Sequence, residues 1–208
     1  MAKKTTPPSP TPPPRPPEPA AAPQPEPPAV LDARWLEPDR ARRGDWKPAE
    51  QAEEGAPIRL EARVSPRVPE GSPVRFGVYR AGPDGADALV ATLDGTVGGG
   101  AAAADWTCVW TGPEGDAYVE PRLYFQASAA GVSARSPAIP VTSWVEIDVR
   151  TPSGAPHPCA YLARRPDGRE VRGTTDESGL ARILTPPGEV AVTLSASAGG
   201  KPLEAWPG

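Results

Sequence analysis

The sequence is poor in the residues on which most catalytic sites depend. Its 208 residues include one histidine, two cysteines and one methionine. His157 would have to act as the base in any Ser–His–Asp or Cys–His arrangement, yet it lies among prolines in the segment APHPC, where a turn is expected. No G-x-S-x-G nucleophile elbow occurs either. These shortages predict a protein that is not an enzyme.

Metal ligands are equally scarce. His157 and Cys159 are two positions apart, but a zinc site needs three or four nitrogen, sulfur or oxygen ligands. Residues 176–178 form the densest oxygen cluster, as a calcium loop would require. A turn explains the same residues without a metal, if Asp176 caps backbone N–H groups and Gly179 has a positive φ. We therefore predict no metal and no cofactor.

The chain also lacks long apolar runs and blocks of like charge. No run reaches the roughly 18 apolar residues of a membrane-spanning helix, so we expect no membrane span. The formal net charge is −4 and arginines alternate with acids, which argues against nucleic acid as a partner. Residues 1–4 resemble a signal-peptide start, but prolines follow in place of its apolar region. We expect a cytoplasmic protein or one exported by a non-classical route.

Disulfides are not expected to support the fold. The two cysteines, Cys108 and Cys159, fall in different predicted domains, and their small number does not suggest a disulfide framework.

Proline, in contrast, is abundant, with 32 residues. Residues 7–28 are mostly Pro, Ala, Glu and Gln and cannot bury enough apolar surface to offset chain entropy. We predict that residues 1–29 form a disordered proline-rich arm with polyproline II character. Its PxxP frames, such as residues 13–16, suggest either a ligand for an aromatic groove or a spacer. We prefer the spacer, because this composition makes such frames inevitable.

Residues 30–55 allow two interpretations. Pro48, followed by AEQAEE and Gly55, fits a short helix with proline near its start and glycine just after its end. The alternative is an edge strand with Trp46 as its apolar anchor. We favour a linker and first edge strand here, because the sequence that follows continues a strand pattern.

Residues 56–142 have the period of two that is typical of half-buried strands. In IRLEARV and again in VRFGVYR, apolar and charged residues alternate. About six or seven such runs, separated by turns every 8–12 residues or so, predict two packed antiparallel sheets.

Residues 143–195 predict a second small β domain, followed by a flexible tail over residues 196–208. Five β-prone runs occur here, namely VEIDVR, CAYLARR, EVRGTT, LARILT and EVAVTL. The segment Pro166-Asp167-Gly168 is a hairpin signal. The fold class predicted for the whole chain is all-β, with two small antiparallel β-sandwich domains behind the arm.

Two family resemblances accompany these patterns. The segments WKPAEQAEEGAPIRLEARV, GSPVRFGVYR, AAAADWT and YFQASAAG resemble immunoglobulin-like modules of bacterial surface and secretion proteins, without the Cys…Trp…Cys pattern of antibody domains. The turn TDESG at residues 175–179, before LARI, resembles the carboxypeptidase regulatory-like (transthyretin-like) domain. The combination is similar to accessory modules beside spike proteins of contractile secretion systems.

Four aromatic residues are candidate partner-binding positions. Tyr79 and Tyr124 are out of phase with the neighbouring core positions and are therefore expected to be exposed, and Trp110 and Trp144 lie at strand ends. We predict a non-catalytic structural or adaptor module that contacts a protein partner in a bacterial secretion or surface assembly. The alternative is a carbohydrate-binding module that uses these aromatics. The sequence leaves the oligomeric state open.

Overall fold

The computed structural model describes residues 29–112 and 118–195, and these residues confirm the all-β prediction. Apart from Ala29, the predicted arm lies outside the described residues, as does the tail over residues 196–208. The described part contains no helix long and apolar enough to cross a membrane. Its one helical element is a 3-10 turn at Pro83–Gly85. The strands in chain order are β1 (Val30–Pro38), β2 (Trp46–Pro48), β3 (Ala52–Glu53), β4 (Pro57–Val64), β5 (Pro73–Arg80), β6 (Ala88–Thr96), β7 (Ala101–Thr107), β8 (Arg122–Ala129), β9 (Val132–Arg135), β10 (Ile139–Asp148), β11 (Ala160–Arg164), β12 (Glu170–Thr174), β13 (Leu180–Thr185) and β14 (Ala191–Leu194).

These strands form three sheets. One sheet has the order β2-β1-β4-β7, and another has the order β12-β11-β14. The largest follows β13-β10-β8-β5-β6, with β9 beside β8 and β3 beside β10. The pairs are antiparallel except for β3 with β10, as expected for strands joined by short turns.

Two separate cores define an N-terminal and a C-terminal unit. The first core fills the sandwich with fully buried residues such as Leu60, Phe76 and Phe125. The second core is smaller and consists of Ile147, Val149, Cys159, Tyr161, Ala163 and Ile183. The five β-prone runs predicted for the C-terminal unit correspond to the second half of β10 and to β11 to β14.

Trp35 connects the two sheets of the sandwich. Its side chain is 2% exposed and its ring meets Phe125 of β8 edge-on, with ring centroids 4.8 Å apart. Its indole Nε1 donates a hydrogen bond to the carbonyl oxygen of Pro137 at 3.1 Å. The hydrogen bond lets a large, partly polar side chain be buried without an orphaned donor.

Residues 30–55 are therefore an integral part of the sandwich and not a linker. β1 lies between β2 and β4, and the edge position belongs to the short strand β2, which begins at Trp46. Of the two alternatives, the strand is confirmed and the helix is not formed. The buried anchor, however, is Trp35 and not Trp46. Trp46 is only partly buried, with the Arg59 guanidinium 4.1 Å from its ring centroid.

β10 belongs to both units. Ile139 and Val141 lie in the first core, whereas Ile147 lies in the second. β10 pairs with β8 at its beginning and with β13 from Ser143 to its end. The sequence suggested that Ser143 and Trp144 join two strands, but no turn residue interrupts this segment and the strand is continuous.

The predicted TDESG turn is confirmed in detail. Asp176 Oδ1 accepts hydrogen bonds from the backbone N–H groups of Ser178 and Leu180, both at 2.9 Å. Gly179 has a φ of +77°. A Cβ atom at Gly179 would collide with the carbonyl oxygen of Val149 and lie 3.1 Å from the backbone nitrogen of His157. This turn thus requires glycine for its backbone conformation and for the close approach of another segment.

We expect Trp35→Ala to lower the free energy of unfolding by about 3–5 kcal/mol, because it leaves a large cavity between the sheets. Trp144→Ala is the matched control, since Trp144 is 48% exposed and should change stability by less than about 0.5 kcal/mol. Urea denaturation of both variants measures the difference. Equal effects would show that Trp35 does not hold the sheets together.

We expect Gly179→Ala to destabilise the C-terminal unit more than Gly154→Ala does. Both glycines have a positive φ, at +77° and +84°, so either alanine should cost about 1 kcal/mol in backbone strain. Only Gly179 has atoms within 4 Å of the added Cβ, so its backbone must also move. Thermal unfolding of the two variants compares them, and a larger loss for Gly154→Ala would contradict this account.

Candidate functional site

Tyr79 and Tyr124, two of the predicted partner-binding residues, lie side by side. They are directly opposed on β5 and β8, and their rings stack with centroids 5.2 Å apart and an interplanar angle of 11°. Both side chains project from the large sheet on the face opposite Phe76 and Val78, since successive strand residues alternate between faces. The prediction that Tyr79 and Tyr124 lie out of phase with the neighbouring core positions is therefore confirmed.

The expectation that Tyr124 is exposed is wrong. Its side chain is only 6% exposed, because the Tyr79 ring stacks on it and the Arg135 guanidinium lies 3.4 Å from its ring centroid. The Tyr124 hydroxyl donates a hydrogen bond to Asp87 Oδ2 at 2.6 Å. Strand alternation indicates the face on which a side chain lies, but not whether neighbouring side chains cover it.

Electrostatics keep this cluster in one protonation state. Burial, assisted by the hydrogen bond to Asp87, raises the pKa of Tyr124 to about 12. The Tyr124 hydroxyl and then the backbone N–H of Gly82 lower the pKa of Asp87. Near neutral pH the phenol therefore stays a donor and the carboxylate stays an acceptor.

An exposed apolar residue borders the pair. Leu89 of β6 is directly opposite Tyr79 and is 59% exposed. Arg135, which covers Tyr124, keeps much of its own side chain in solvent. We call the set Tyr79, Leu89, Tyr124 and Arg135 the tyrosine face. It combines two accessible groups, Leu89 and Arg135, with a partly buried stacked ring system between them.

The predicted tryptophans lie elsewhere. Trp110 follows β7, is partly buried and packs against the first core. Trp144 lies on β10 in the C-terminal unit, where it is exposed and directly opposite Leu184 of β13. Of the four predicted positions, only Tyr79 and Tyr124 have rings that stack on each other within the described residues.

A cleft of about 690 Å³ lies where β10 passes from one unit to the other. β8 and β13 pair with successive stretches of β10, and Val141 and Thr142 lie between these stretches. The wall residues come from both units and from the strand itself: Gln51, Tyr118, Glu120 and Pro121; Pro140, Val141 and Thr142; Arg165, Asp167 and Arg169; Leu184, Thr185 and Pro186. Sequence reasoning missed this cleft because five distant segments form it and none has a local signature.

The cleft is polar and incompletely hydrogen-bonded. Asp167 Oδ2 lies 3.3 Å from an Arg165 terminal nitrogen and 3.9 Å from Arg169 Nε. Arg165 Nε and Thr185 Oγ1 are buried, and neither has a hydrogen-bond partner within residues 29–112 and 118–195. Tyr118 is 43% exposed, and partial burial, followed by the Asp167 charge, raises its pKa.

The cysteines and the histidine that were considered for catalysis or metal binding lie in structural surroundings. Cys108 and Cys159 are buried free thiols, and burial raises the pKa of Cys108 to about 12, so it is not a nucleophilic thiolate. The His157 backbone N–H donates to the Val149 carbonyl at 3.0 Å, where the 156–157 segment closes onto the end of β10. Within residues 29–112 and 118–195, no group of three or more His, Cys, Asp or Glu side chains is placed to hold a metal ion.

No protein-family model matches the chain. No curated protein sequence matches it either. The crystal structure of trypsin-activated alpha-2-macroglobulin from Escherichia coli is similar with 12% sequence identity and a TM-score of 0.33, over 74% of this chain and 13% of that one. The chain thus spans about an eighth of the length of that protein, and the likeness carries no functional information.

We expect Tyr124 to lose its proton later than an ordinary tyrosine. Its raised pKa means that the stabilising burial and hydrogen bond are fully present below about pH 10 and are lost as the pH rises through about 12. Asp87→Asn should lower the Tyr124 pKa but leave it above the ordinary value, because burial is the larger cause.

Alkaline titration of tyrosine absorbance, with Tyr124→Phe to identify the late component, measures this shift. A late component that survives in Tyr124→Phe would assign it to another tyrosine and refute the prediction.

Proposed function

We propose that this protein is a non-catalytic structural or adaptor module that binds a protein partner through the tyrosine face. The observation that carries the proposal is the exposed Leu89 beside a Tyr79–Tyr124 stack that Asp87 and Arg135 hold in place. Tyrosine and arginine are enriched among the residues that dominate binding energy at protein interfaces.

Pre-organisation makes this face suitable for binding. The Tyr124 hydroxyl is fixed by Asp87, and Arg135 lies 4.0 Å from the same carboxylate oxygen. A partner that contacts Tyr79, Leu89 and Arg135 therefore orders few additional side-chain torsions, and less binding energy is lost to conformational entropy.

The continuous strand β10 supports a structural role. Because β10 carries residues of both cores, a partner on the tyrosine face is held in a fixed relation to the C-terminal unit. The resemblance to immunoglobulin-like and carboxypeptidase regulatory-like modules favours a bacterial surface or secretion assembly as the setting. Residues 1–29 then act as a spacer between the folded part and a partner.

The alternative of a carbohydrate-binding module that uses Trp110, Tyr124 or Trp144 has less support. A sugar ring needs an accessible aromatic face, but the Tyr124 ring carries Tyr79 and Arg135. Trp110 is partly buried against the first core, which leaves Trp144 as the one freely exposed ring of these three.

We expect Leu89→Asp to weaken partner binding by about tenfold or more, since it places an unpaired charge in an apolar contact. A photo-crosslinking amino acid at position 89, introduced in the native cell, identifies the partner. Calorimetry with the purified pair then measures the affinity.

Leu31→Asp is the matched control, because Leu31 is 62% exposed on β1, in the other sheet of the sandwich. This variant should bind like the unmodified protein. Equal losses for both variants, or no crosslinked protein from position 89, would refute the tyrosine face as the interface.

A further inference from the structure

We propose that the cleft between the two units is a binding site for a neutral saccharide. This site is separate from the tyrosine face, and the proposal does not depend on the proposed adaptor function. It uses none of the aromatic residues that the sequence suggested for sugar binding.

The dimensions and the walls of the cleft fit a small ligand. Its volume of about 690 Å³ is within the range of roughly 300–1,000 Å³ that is typical of small-molecule sites. Pro121, Pro140 and Pro186 supply rigid apolar wall, and β10 supplies a backbone that both units hold in place. The shape therefore exists before any ligand enters.

The charges in the cleft favour a neutral ligand. Two carboxylates, Glu120 and Asp167, are balanced by two guanidinium groups, Arg165 and Arg169. An anion would face both acids and a cation both arginines. A hydroxyl group donates to a carboxylate and accepts from a guanidinium at once, so a polyhydroxylated molecule uses both signs of charge.

Two polar atoms of side chains that line the cleft have no hydrogen-bond partner in the described part of the chain. Arg165 Nε is a donor and Thr185 Oγ1 can donate or accept, and both atoms are buried. Buried polar groups in proteins are nearly always hydrogen-bonded to protein, water or ligand, so these two atoms are able to bind a polar ligand group. Both side chains line the cleft, so the proposal assigns hydroxyl groups of a ligand held there as partners of these atoms.

Tyr118 supplies an apolar surface on the same cleft. Tyr118 is 43% exposed as a whole residue. Aromatic rings have an electron-rich face that attracts the weakly positive C–H groups of a sugar ring. An aromatic face beside paired donors and acceptors is the combination that a pyranose requires.

An extended peptide is a poorer fit to this cleft. A peptide that adds to a strand needs unpaired backbone groups along that strand. In the cleft, the Val141 N–H donates to the Pro121 carbonyl at 2.8 Å, and the Thr142 carbonyl accepts from the Glu54 N–H at 2.7 Å. These backbone groups of β10 are already paired within the protein.

The test is a titration of the full-length, isotope-labelled chain with neutral mono- and disaccharides, observed by NMR. Glucuronate, glucosamine and a synthetic peptide of residues 7–28 are the comparison ligands. We expect a neutral sugar to shift the signals of Tyr118, Thr142, Arg165 and Thr185, and to bind more tightly than either charged sugar.

Variants separate this site from other surfaces. Thr185→Val removes an orphaned hydroxyl at nearly constant volume, so it should leave thermal stability unchanged or raised while sugar binding weakens about tenfold. Tyr118→Ala should weaken binding similarly. Trp144→Ala, which removes an exposed ring outside the cleft, should not change it.

Three results would overturn the proposal. One is the absence of binding by every sugar at millimolar concentration. Another is a loss of binding in Trp144→Ala with retention in Tyr118→Ala, which would place the sugar on Trp144. The third is a response of the cleft signals to the peptide alone.

Discussion

The backbone hydrogen bonding of β10 is the constraint on which the rest of the structure depends. Its first residues bond to β8 and its later residues to β13, so one uninterrupted strand carries side chains into both cores. The cleft arises at Val141 and Thr142, which pair with the short strand β3 and lie between the residues of β10 that pair with β8 and those that pair with β13. The orientation of the C-terminal unit is thereby set by strand geometry and not by a linker.

Much of this fold was predictable, because its determinants are local. The alternation in IRLEARV and VRFGVYR corresponds to β4 and β5, and the aspartate and glycine of TDESG form the expected turn. The extent of β1 was not predictable in the same way. The partners of Trp35, Phe125 and Pro137, lie about 90 and 102 positions further along the chain, so its role as an anchor has no signature in the neighbouring sequence.

The candidate sites show the same division between local and distant information. Alternation predicted the face on which Tyr79 and Tyr124 lie, but Arg135 of another strand decides that Tyr124 is covered. The cleft depends entirely on segments that meet only after folding. Pairing across a sheet brings such residues together, and a single sequence contains no direct record of that pairing.

The shared strand β10 also determines how the molecule would respond to a pulling force. Hydrogen bonds between antiparallel strands run nearly perpendicular to the strand direction. Tension that separates the two units along β10 would therefore load its six residue pairs with β13 together in shear, and not open them one after another. Any force that pulls the two units apart would therefore pass through the single extended backbone of β10, which carries residues of both cores.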